Sequence, residues 1–378
     1  MKKNSFRLLF GLLLLGGPVF AQNTVVDSFV YGGVMRTYRL YVPPAYDGSS
    51  RWPLVLNLHG YGSNSWEQNF YSNFQPIADT AHFITALPDG TYDQTGKRFW
   101  NAGFGVGVDD VGFLSALLDT LAAQYQIDPQ RIYSTGMSNG GFMSYTLACA
   151  LSGRIAAIAS VTGTMTNLQA GTCAPTRPVP VMQIHGTADP TVPYQGGGNF
   201  QPIEDVVAYW AGHNQCPQPA VMTPVPDINL ADSCTAERYD YAPGANGARV
   251  VFYKVLGGGH TWPGTGFIIG TTNQDFSASV EIWRFFNQYD LSGPLTGTTE
   301  LEPVPTGPIV YPNPGSGNFV LSLPEKAVSI RLYTASGQWV GDRPAVPSLD
   351  MGSLPDGLYF LEIRTEEGVV RAPLVLQR

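Results

Sequence analysis

A serine flanked by glycines is the first candidate for chemistry in this sequence of 378 residues. Gly136-Met137-Ser138-Asn139-Gly140 lies between a short β-prone segment, 131–135, and an apolar stretch that predicts the start of a helix. A serine on a sharp strand-to-helix turn is exposed as a nucleophile, and glycine two residues to each side removes clashing side chains. The same pattern also arises as an ordinary turn in a chain with 43 glycines, so its partners must be found elsewhere.

A nucleophilic serine needs a base, and the base needs an acid that orients it. After a serine of this kind the acid precedes the histidine in the chain. Four of the five histidines precede the candidate acids or lie inside a predicted helix: His59, His82, His185 and His213. His260 remains, in the loop 257–264 directly after a predicted strand, and is the predicted base.

Asp189 is the predicted acid, because it follows the strand that ends at Ile184 through the tight segment His185-Gly186-Thr187-Ala188. As an alternative, Asp189 is only a turn or cap residue before Pro190. The other acids after Ser138 are placed less well, on a predicted helix (Asp205) or in a loop-rich, cysteine-bracketed insertion (Asp227, Asp232 and Asp240).

The reaction also needs N–H donors for the oxyanion that develops. We expect the main-chain N–H of Asn139 and that of Tyr61, which follows the strand ending at Leu58 in His59-Gly60-Tyr61-Gly62. His59 is expected to brace this loop from a buried position and to have no catalytic role.

Aromatic residues in the loops near these motifs are candidates for stacking on a phenolic acid or a sugar, or for packing only. They are Trp262, Trp100, Tyr194, Trp66 and Tyr61. No Cys-x-x-Cys spacing occurs, so we expect neither a zinc site nor any other metal, and no cofactor.

The N-terminus predicts export. Lys2, Lys3 and Arg7 precede the apolar run Leu8 to Leu15, and Val19-Phe20-Ala21 offers a cleavage site, so residues 1–21 are a predicted signal peptide. Removing it takes away three basic and no acidic residues, so the formal charge falls from −8 to −11. An acidic surface argues against nucleic acid or anionic lipid as a partner and favours a neutral substrate. We expect a monomer.

The four cysteines are an even number in an exported chain, so disulfides are expected. Three connectivities are possible. Pairing of nearest neighbours, Cys149–Cys173 and Cys216–Cys234, closes the shortest loops and is the prediction.

Apolar strands alternate with helices along most of the chain, which predicts a mostly parallel sheet covered on both faces. The predicted strands are an antiparallel pair within 24–42 and segments 52–58, 83–87, 131–135, 155–161, 179–184 and 249–256, and the predicted helices are 111–125, the helix after Ser138, 203–213 and 277–289. The predicted fold is therefore α/β.

Near residue 291 the amino-acid composition changes: Pro, Gly, Thr and Glu dominate, and apolar residues no longer recur periodically. The predicted division is a catalytic domain at 22–291, a linker at 292–307 and a small all-β sandwich at 308–378. The sandwich contains neither histidine nor cysteine, so catalysis is not expected there.

Four motifs, in order, resemble the polyhydroxybutyrate depolymerase-like and feruloyl esterase family of secreted α/β-hydrolases. They are His59-Gly60-Tyr61-Gly62, Gly136-Met137-Ser138-Asn139-Gly140-Gly141, His185-Gly186-Thr187-Ala188-Asp189 and Gly259-His260-Thr261-Trp262-Pro263-Gly264, with Trp100-Asn101 and Val108 to Phe113 also similar. The resemblance covers about residues 25–290. It implies Ser138 as nucleophile, Asp189 as acid, His260 as base, an oxyanion contribution from Tyr61, and the Cys149–Cys173 disulfide.

The tail has a resemblance of its own. Tyr311 to Gly317, Leu332 to Gly337 and Leu354 to Tyr359 are similar to the C-terminal sorting domain of type IX secretion cargo. This implies export across an outer membrane by the type IX machinery, often with removal of the tail; the alternative is a carbohydrate- or polymer-binding sandwich.

Together these features predict a secreted serine carboxylesterase. Feruloyl or acetyl esters of plant cell-wall polysaccharide come first as substrates, because no lid-like apolar insertion is present and an open cleft suits a bulky ester. A polyhydroxyalkanoate depolymerase is the second prediction, and a peptidase or a non-catalytic surface protein is the least favoured.

Overall fold

The computed structural model describes residues 23–105, 107–295, 309–311, 316–323, 327–334, 338–365, 369–376 and 378. The predicted signal peptide, 1–21, and most of the predicted linker, 292–307, lie outside these residues.

In chain order, the strands of the described part are β1 (Asn23–Tyr31), β2 (Val34–Val42), β3 (Trp52–Leu58), β4 (Ile84–Pro88), β5 (Thr91–Tyr92), β6 (Arg98–Phe99), β7 (Ile127–Met137), β8 (Ala157–Val161), β9 (Val181–Gly186), β10 (Val221–Pro224), β11 (Thr235–Tyr241), β12 (Val250–Leu256), β13 (Tyr289–Asp290), β14 (Gly293–Pro294), β15 (Ile309–Tyr311), β16 (Asn318–Ser322), β17 (Ala327–Thr334), β18 (Trp339–Pro344), β19 (Ser348–Asp350), β20 (Gly357–Thr365) and β21 (Val369–Leu376). The α-helices of the same residues are α1 (Ser65–Ser72), α2 (Gln75–Ala81), α3 (Asp110–Gln124), α4 (Asn139–Ala150), α5 (Asn167–Thr172), α6 (Ile203–His213) and α7 (Ala278–Phe286).

The large sheet has the strand order β1-β2-β4-β3-β7-β8-β9-β12-β11-β10. Its six central strands, from β4 to β12 in that order, run parallel to one another. The strands at both edges are antiparallel. The predicted α/β fold with a mostly parallel sheet is confirmed, and two antiparallel edge strands, β10 and β11, lie in the stretch that was expected to be loop-rich.

Burial on both faces explains why the central strands are almost continuously apolar. Along β3, Leu54, Leu56 and Leu58 join one hydrophobic cluster, whereas Val55 between them joins the other. The first cluster also holds residues of α3, α4 and α6, and the second holds residues of α2 and α7. Helices therefore cover both faces, as the sequence predicts.

The carboxyl ends of the central strands meet at one edge of the sheet, where open α/β sheets bind their ligands. The loop 59–62 follows β3, Ser138 follows β7, Asp189 lies three residues after β9, and His260 lies four residues after β12. Parallel strand direction thus brings together four segments that are far apart in the chain.

One of the two predicted disulfides is present. Cys149 and Cys173 are bonded, and they link the end of α4 to the C-cap of α5. The predicted Cys216–Cys234 pair is wrong, because both residues are buried free thiols. Cys216 packs in the cluster on one face of the sheet and Cys234 in the cluster on the other, so the sheet separates them.

The C-terminal residues form two antiparallel sheets, β15-β16-β19 and β18-β17-β20-β21. Side chains from both sheets share one hydrophobic cluster, for example Phe319 of β16 and Leu361 of β20. The predicted small all-β sandwich is confirmed. None of the described helices is long and apolar enough to cross a bilayer.

Candidate active site

Ser138 occupies a strained turn between β7 and α4. Its φ of 54° and ψ of −120° are sparsely populated for a residue with a side chain, and such strain often accompanies function. A Cβ atom at Gly136 would come within 2.5 Å of the Leu58 carbonyl oxygen, and one at Gly140 would collide with the same carbonyl. Both glycines are therefore required by the close approach of the turn to the end of β3. The N–H of Ser138 donates to the carbonyl of Val161 at 2.8 Å and fixes the turn to β8.

His260 and Asp189 form a hydrogen-bonded pair. Nδ1 of His260 lies 2.7 Å from Oδ2 of Asp189, whose side chain is fully buried. Because the carboxylate accepts, Nδ1 of the ring donates and Nε2 is left free to act as a base. This is the geometry of a base held by an orienting acid.

Asp189 is held as a carboxylate from several sides. Burial acts to raise its pKa, but hydrogen bonds from His185 and His260 and from the main chain of Val192 outweigh burial and hold the pKa well below its usual range. Oδ1 accepts from the main-chain N–H groups of Thr191 and Val192 at 2.8 and 2.9 Å. The acid is therefore charged and fixed at neutral pH.

His185 helps to position Asp189, a role that was not predicted from the sequence. Its Nε2 lies 2.9 Å from the Val192 carbonyl and 3.4 Å from Oδ2 of Asp189. Nδ1 lies 3.1 Å from Nε2 of Gln183, which can only donate, so Nδ1 accepts and Nε2 carries the proton. The alternation of β9 is the signal that could have found it, because Gln183 and His185 are polar residues on one face of a buried strand.

The loop after β3 lies against the turn at Ser138. A Cβ atom at Gly60 would stand 3.4 Å from the Cβ of Ser138, at the limit of ordinary van der Waals contact. Within the described part of the chain, the main-chain N–H groups of Tyr61 and Asn139 donate to no protein group. They are two free donors beside Ser138, where the sequence places the oxyanion donors.

His59 fixes the peptide that carries the Tyr61 N–H. Its Nε2 accepts from the N–H of Gly90 at 2.9 Å, so Nδ1 carries the proton and donates to the Gly60 carbonyl at 2.7 Å. Burial lowers the pKa of His59 to about 4, which keeps the ring neutral. His59 is a buried brace of this loop, as the sequence predicts.

Ser138 lies between two cavities. The smaller, of about 240 Å³, also contains His260 and is lined by Tyr71, Trp262, Phe267 and Ile269, among others. The larger is a cleft of about 800 Å³ that contains Ser138, Tyr61 and Asn139; its further lining includes Tyr92, Phe99, Phe104, Phe142, Val192 and Phe200. An ester bound at Ser138 can place one of its two halves in each cavity.

Of the five aromatic residues proposed for substrate contact, Tyr61 lines both cavities, and the other four lie in different places. Trp100 and Tyr194 are buried, and neither lines one of the two cavities. Trp100 packs under the site, and Tyr194 donates to Glu204 at 2.7 Å. Trp262 lines the smaller cavity, and Trp66 is exposed on α1.

The phenylalanines that line the large cleft were not predicted from the sequence as candidate substrate contacts. Phe104 and Phe200 lie next to glycine-rich stretches whose paths the sequence does not specify. Phe142 was open to inference, because it follows Ser138 by four residues on α4 and therefore lies one helical turn away.

Two family descriptions match parts of the chain. Residues 109–209 match the phospholipase/carboxylesterase family, and residues 309–377 match the secretion system C-terminal sorting domain. The second match agrees with the predicted nature of the tail.

Similar proteins include esterases from bacteria and fungi. NocK of Nocardia uniformis subsp. tsuyamanensis, which is named as an esterase, is 30% identical over 69% of this chain and 82% of its own length. The bifunctional acetylxylan esterase/xylanase XynS20E of Neocallimastix patriciarum is 28% identical over 73% of this chain and 36% of its own length. Feruloyl esterase B of Piromyces equi is 29% identical over 58% of this chain and 41% of its own length. The chain thus spans less than half of the two fungal proteins.

Proposed function

Because this chain belongs to the carboxylesterase family of α/β-hydrolases, we propose that it hydrolyses feruloyl or acetyl esters of plant cell-wall polysaccharide, with feruloyl esters first. It is a carboxylic ester hydrolase by family. The observation that carries the proposal is the position of Ser138, beside His260 in one cavity and open to an aromatic-lined cleft of about 800 Å³ on its other side.

The proposed reaction follows from the roles these groups can take. His260, oriented by Asp189, removes the proton of Ser138 as Oγ attacks the ester carbonyl. The N–H groups of Tyr61 and Asn139 stabilise the oxyanion. Collapse of the tetrahedral intermediate expels the alcohol, which takes the proton from His260. Water, activated by the same imidazole, then hydrolyses the acyl-enzyme.

The two cavities support an orientation for the ester. The leaving oxygen must receive the proton from His260, so the alcohol half belongs on the side of the smaller cavity, which contains that residue. The acyl half then occupies the large cleft. An acetyl group would leave most of about 800 Å³ empty, whereas a feruloyl group can pack its ring against Phe104, Phe142 and Phe200. This favours feruloyl over acetyl esters.

The sorting tail places the protein at the cell surface or outside the cell. We further propose that residues 1–21 direct the chain into the periplasm, that 22–291 form the catalytic domain, and that 292–307 link it to the tail. The mature enzyme is proposed to act as a monomer.

The test is an activity comparison of the full chain and Ser138→Ala. The full chain should release ferulate from feruloylated arabinoxylan and methyl ferulate and should be labelled by a fluorophosphonate, and the variant should do neither. A variant that keeps most of its activity would refute the assignment of Ser138. Release of hydroxybutyrate from polymer films, without release of ferulate, would replace the proposed substrate with a polyester.

A further inference from the structure

Three exposed aromatic residues form a surface next to the smaller cavity, here called the aromatic rim. Trp66 and Phe70 of α1 are 58% and 51% exposed, and Phe267 of the loop after His260 is 46% exposed. The rings of Trp66 and Phe70 are parallel within 7°, with centroids 5.9 Å apart, and Phe267 meets Phe70 edge-on at 5.4 Å. Three large rings thus remain open to solvent although they contact one another.

The rim stands on a fixed element. Oδ1 of Asn64 accepts from the main-chain N–H groups of Trp66 and Glu67, both at 3.0 Å, and so caps α1. The N–H of Ser65 donates to Asp89, a buried carboxylate, at 2.8 Å. The backbone that carries Trp66 and Phe70 is therefore fixed before any ligand arrives. Clustered apolar groups on a soluble surface commonly mark a place of interaction.

The rim is continuous with the proposed active site on the side of the leaving group. Phe267 belongs to both the rim and the smaller cavity, which also contains Ser138 and His260. Because the alcohol half of the ester lies on the side of His260, the chain that carries this alcohol extends from the cavity that Phe267 shares with the rim. The position of the base, more than the aromatic character alone, indicates which half of the substrate the rim meets.

The chemistry of the surroundings disfavours an anionic ligand. The lining of the smaller cavity contains no Asp, Glu, Lys or Arg, and Glu67 of α1, whose carboxylate accepts from Ser63 of that lining at 2.6 Å, repels an anionic polymer. Parallel aromatic faces bind the C–H faces of sugar rings through apolar contact, and this contact needs no charge.

We propose that the aromatic rim is a binding subsite for the neutral polysaccharide backbone to which the ester is attached. The inference rests on the proposed esterase function and adds to it a contact with sugar units beyond the ester bond. A second copy of the chain is the other occupant that the test must separate.

The kinetic test compares polymeric and small substrates in Trp66→Ala and Phe70→Ala. The ratio of kcat/KM for feruloylated arabinoxylan to that for methyl ferulate should fall on the order of tenfold, chiefly through the KM for the polymer. Trp339→Ala is the matched control, because this tail residue is also a tryptophan with 58% exposure, and its ratio should stay unchanged. An unchanged ratio in both rim variants would overturn the proposal.

A binding test separates the rim from the chemistry. Ser138→Ala should be retarded in a native gel that contains unsubstituted arabinoxylan, and adding Trp66→Ala should remove the retardation. Loss of esterase activity in the full chain together with rim-dependent retardation would count against the proposed function alone. Equal migration with and without Trp66, or dissociation of a dimer by Trp66→Ala in sedimentation, would count against the subsite.

Discussion

Asn139 and Trp100 hold each other through two hydrogen bonds. The main-chain N–H of Trp100 donates to Oδ1 of Asn139 at 2.6 Å, and Nδ2 of Asn139 donates to the Trp100 carbonyl at 3.0 Å. The indole N–H of Trp100 donates in turn to the carbonyl of His59 at 3.0 Å. The start of α4 and the loop that carries Tyr61 are therefore joined through one buried residue, and the two proposed oxyanion donors belong to a single braced unit. Donors fixed in advance stabilise a developing charge without reorganisation during the reaction.

Asn139→Ala should lower kcat although it keeps the main-chain N–H of residue 139. The variant removes the brace and leaves the buried N–H of Trp100 unpaired, whereas the Trp100 carbonyl still accepts from the N–H of Ala102 at 2.9 Å. Both proposed oxyanion donors then lose part of the support that fixes their positions. We expect kcat for p-nitrophenyl acetate to fall about 10- to 100-fold. This loss is at most as large as the loss of kcat that follows when an oxyanion donor is removed completely.

Asn214→Ala is the matched control for this prediction. Asn214 is buried and makes the same pair of bonds to Val179, accepting from its N–H at 2.9 Å and donating to its carbonyl at 2.7 Å, away from the site. Both variants should lose thermal stability, but only Asn139→Ala should lose kcat beyond the loss of folded protein. Equal kcat values in the two variants would show that the brace is merely structural.

The strand ends that carry Ser138, Asp189 and His260 could be predicted because their strands are apolar on both faces. Such apolar runs can be recognised in the sequence without knowing which strands are neighbours in the sheet. Strand β11 was not predicted, since Thr235–Tyr241 has charged residues at three of its seven positions and is only partly buried. Helix α1 was missed for a similar reason: Ser65–Ser72 is polar on most positions, and its cap at Asn64 is the main sequence signal.

Side-chain burial and the state of Cys216 and Cys234 could not be predicted from position in the sequence. Trp100 and Trp66 both lie in segments near the motifs, yet one is buried under the nucleophile and the other is exposed. Cys216 and Cys234 are near each other in the chain, but they pack in hydrophobic clusters on opposite faces of the sheet. Which side of a sheet a residue occupies depends on register, and register is a tertiary property.

Because His59 is buried in its neutral form, we expect the free energy of unfolding to decrease as the pH falls from about 6.5 to about 4. Burial lowers its pKa in the folded protein to about 4 from an ordinary value of 6.5. Between these values the unfolded chain binds more protons than the folded one, so the free energy of unfolding decreases with decreasing pH, by about 3 kcal/mol over the window. Asp189 does not contribute here, because its lowered pKa moves its effect to more acidic pH.

The measurement is the urea midpoint at several pH values for the full chain and for His59→Gln, whose side chain does not titrate. The variant should be less stable at pH 7, because the bonds to Gly60 and Gly90 are perturbed, but its stability should depend less on pH. Identical slopes for the two proteins would contradict a neutral, buried His59.

Thiol counting should distinguish one disulfide from two. In denaturant without reductant, two thiols should react with a chromogenic disulfide reagent, and after reduction four should react. In the native protein both should react slowly, because Cys216 and Cys234 are buried and burial, with Asp232 nearby, raises the pKa of Cys234 to about 12. Reduction should also cost about 3 kcal/mol of stability through the loop between Cys149 and Cys173. A count of zero in denaturant would restore the second disulfide.

Gly107→Trp should separate the two halves of the ester. Gly107 lines the large cleft, and a Cβ atom at this position would meet nothing within 4 Å, with no left-handed φ to forbid a side chain. An indole there takes up space that the proposal assigns to the feruloyl ring, whereas an acetyl group remains small enough to bind beside Ser138. We expect kcat/KM for methyl ferulate to fall about tenfold or more relative to that for p-nitrophenyl acetate.

Gly153→Trp is the control for this change, because Gly153 is exposed, lines neither cavity, and likewise has open space around its Cβ position. It should leave the ratio of the two activities as it is in the full chain. If Gly107→Trp lowered the acetyl activity as much as the feruloyl activity, the large cleft would not be the acyl site. In that case the alcohol half of the ester would occupy the large cleft. The ester would bind at Ser138 in the orientation opposite to the one proposed, and His260 would have to transfer its proton toward that cleft.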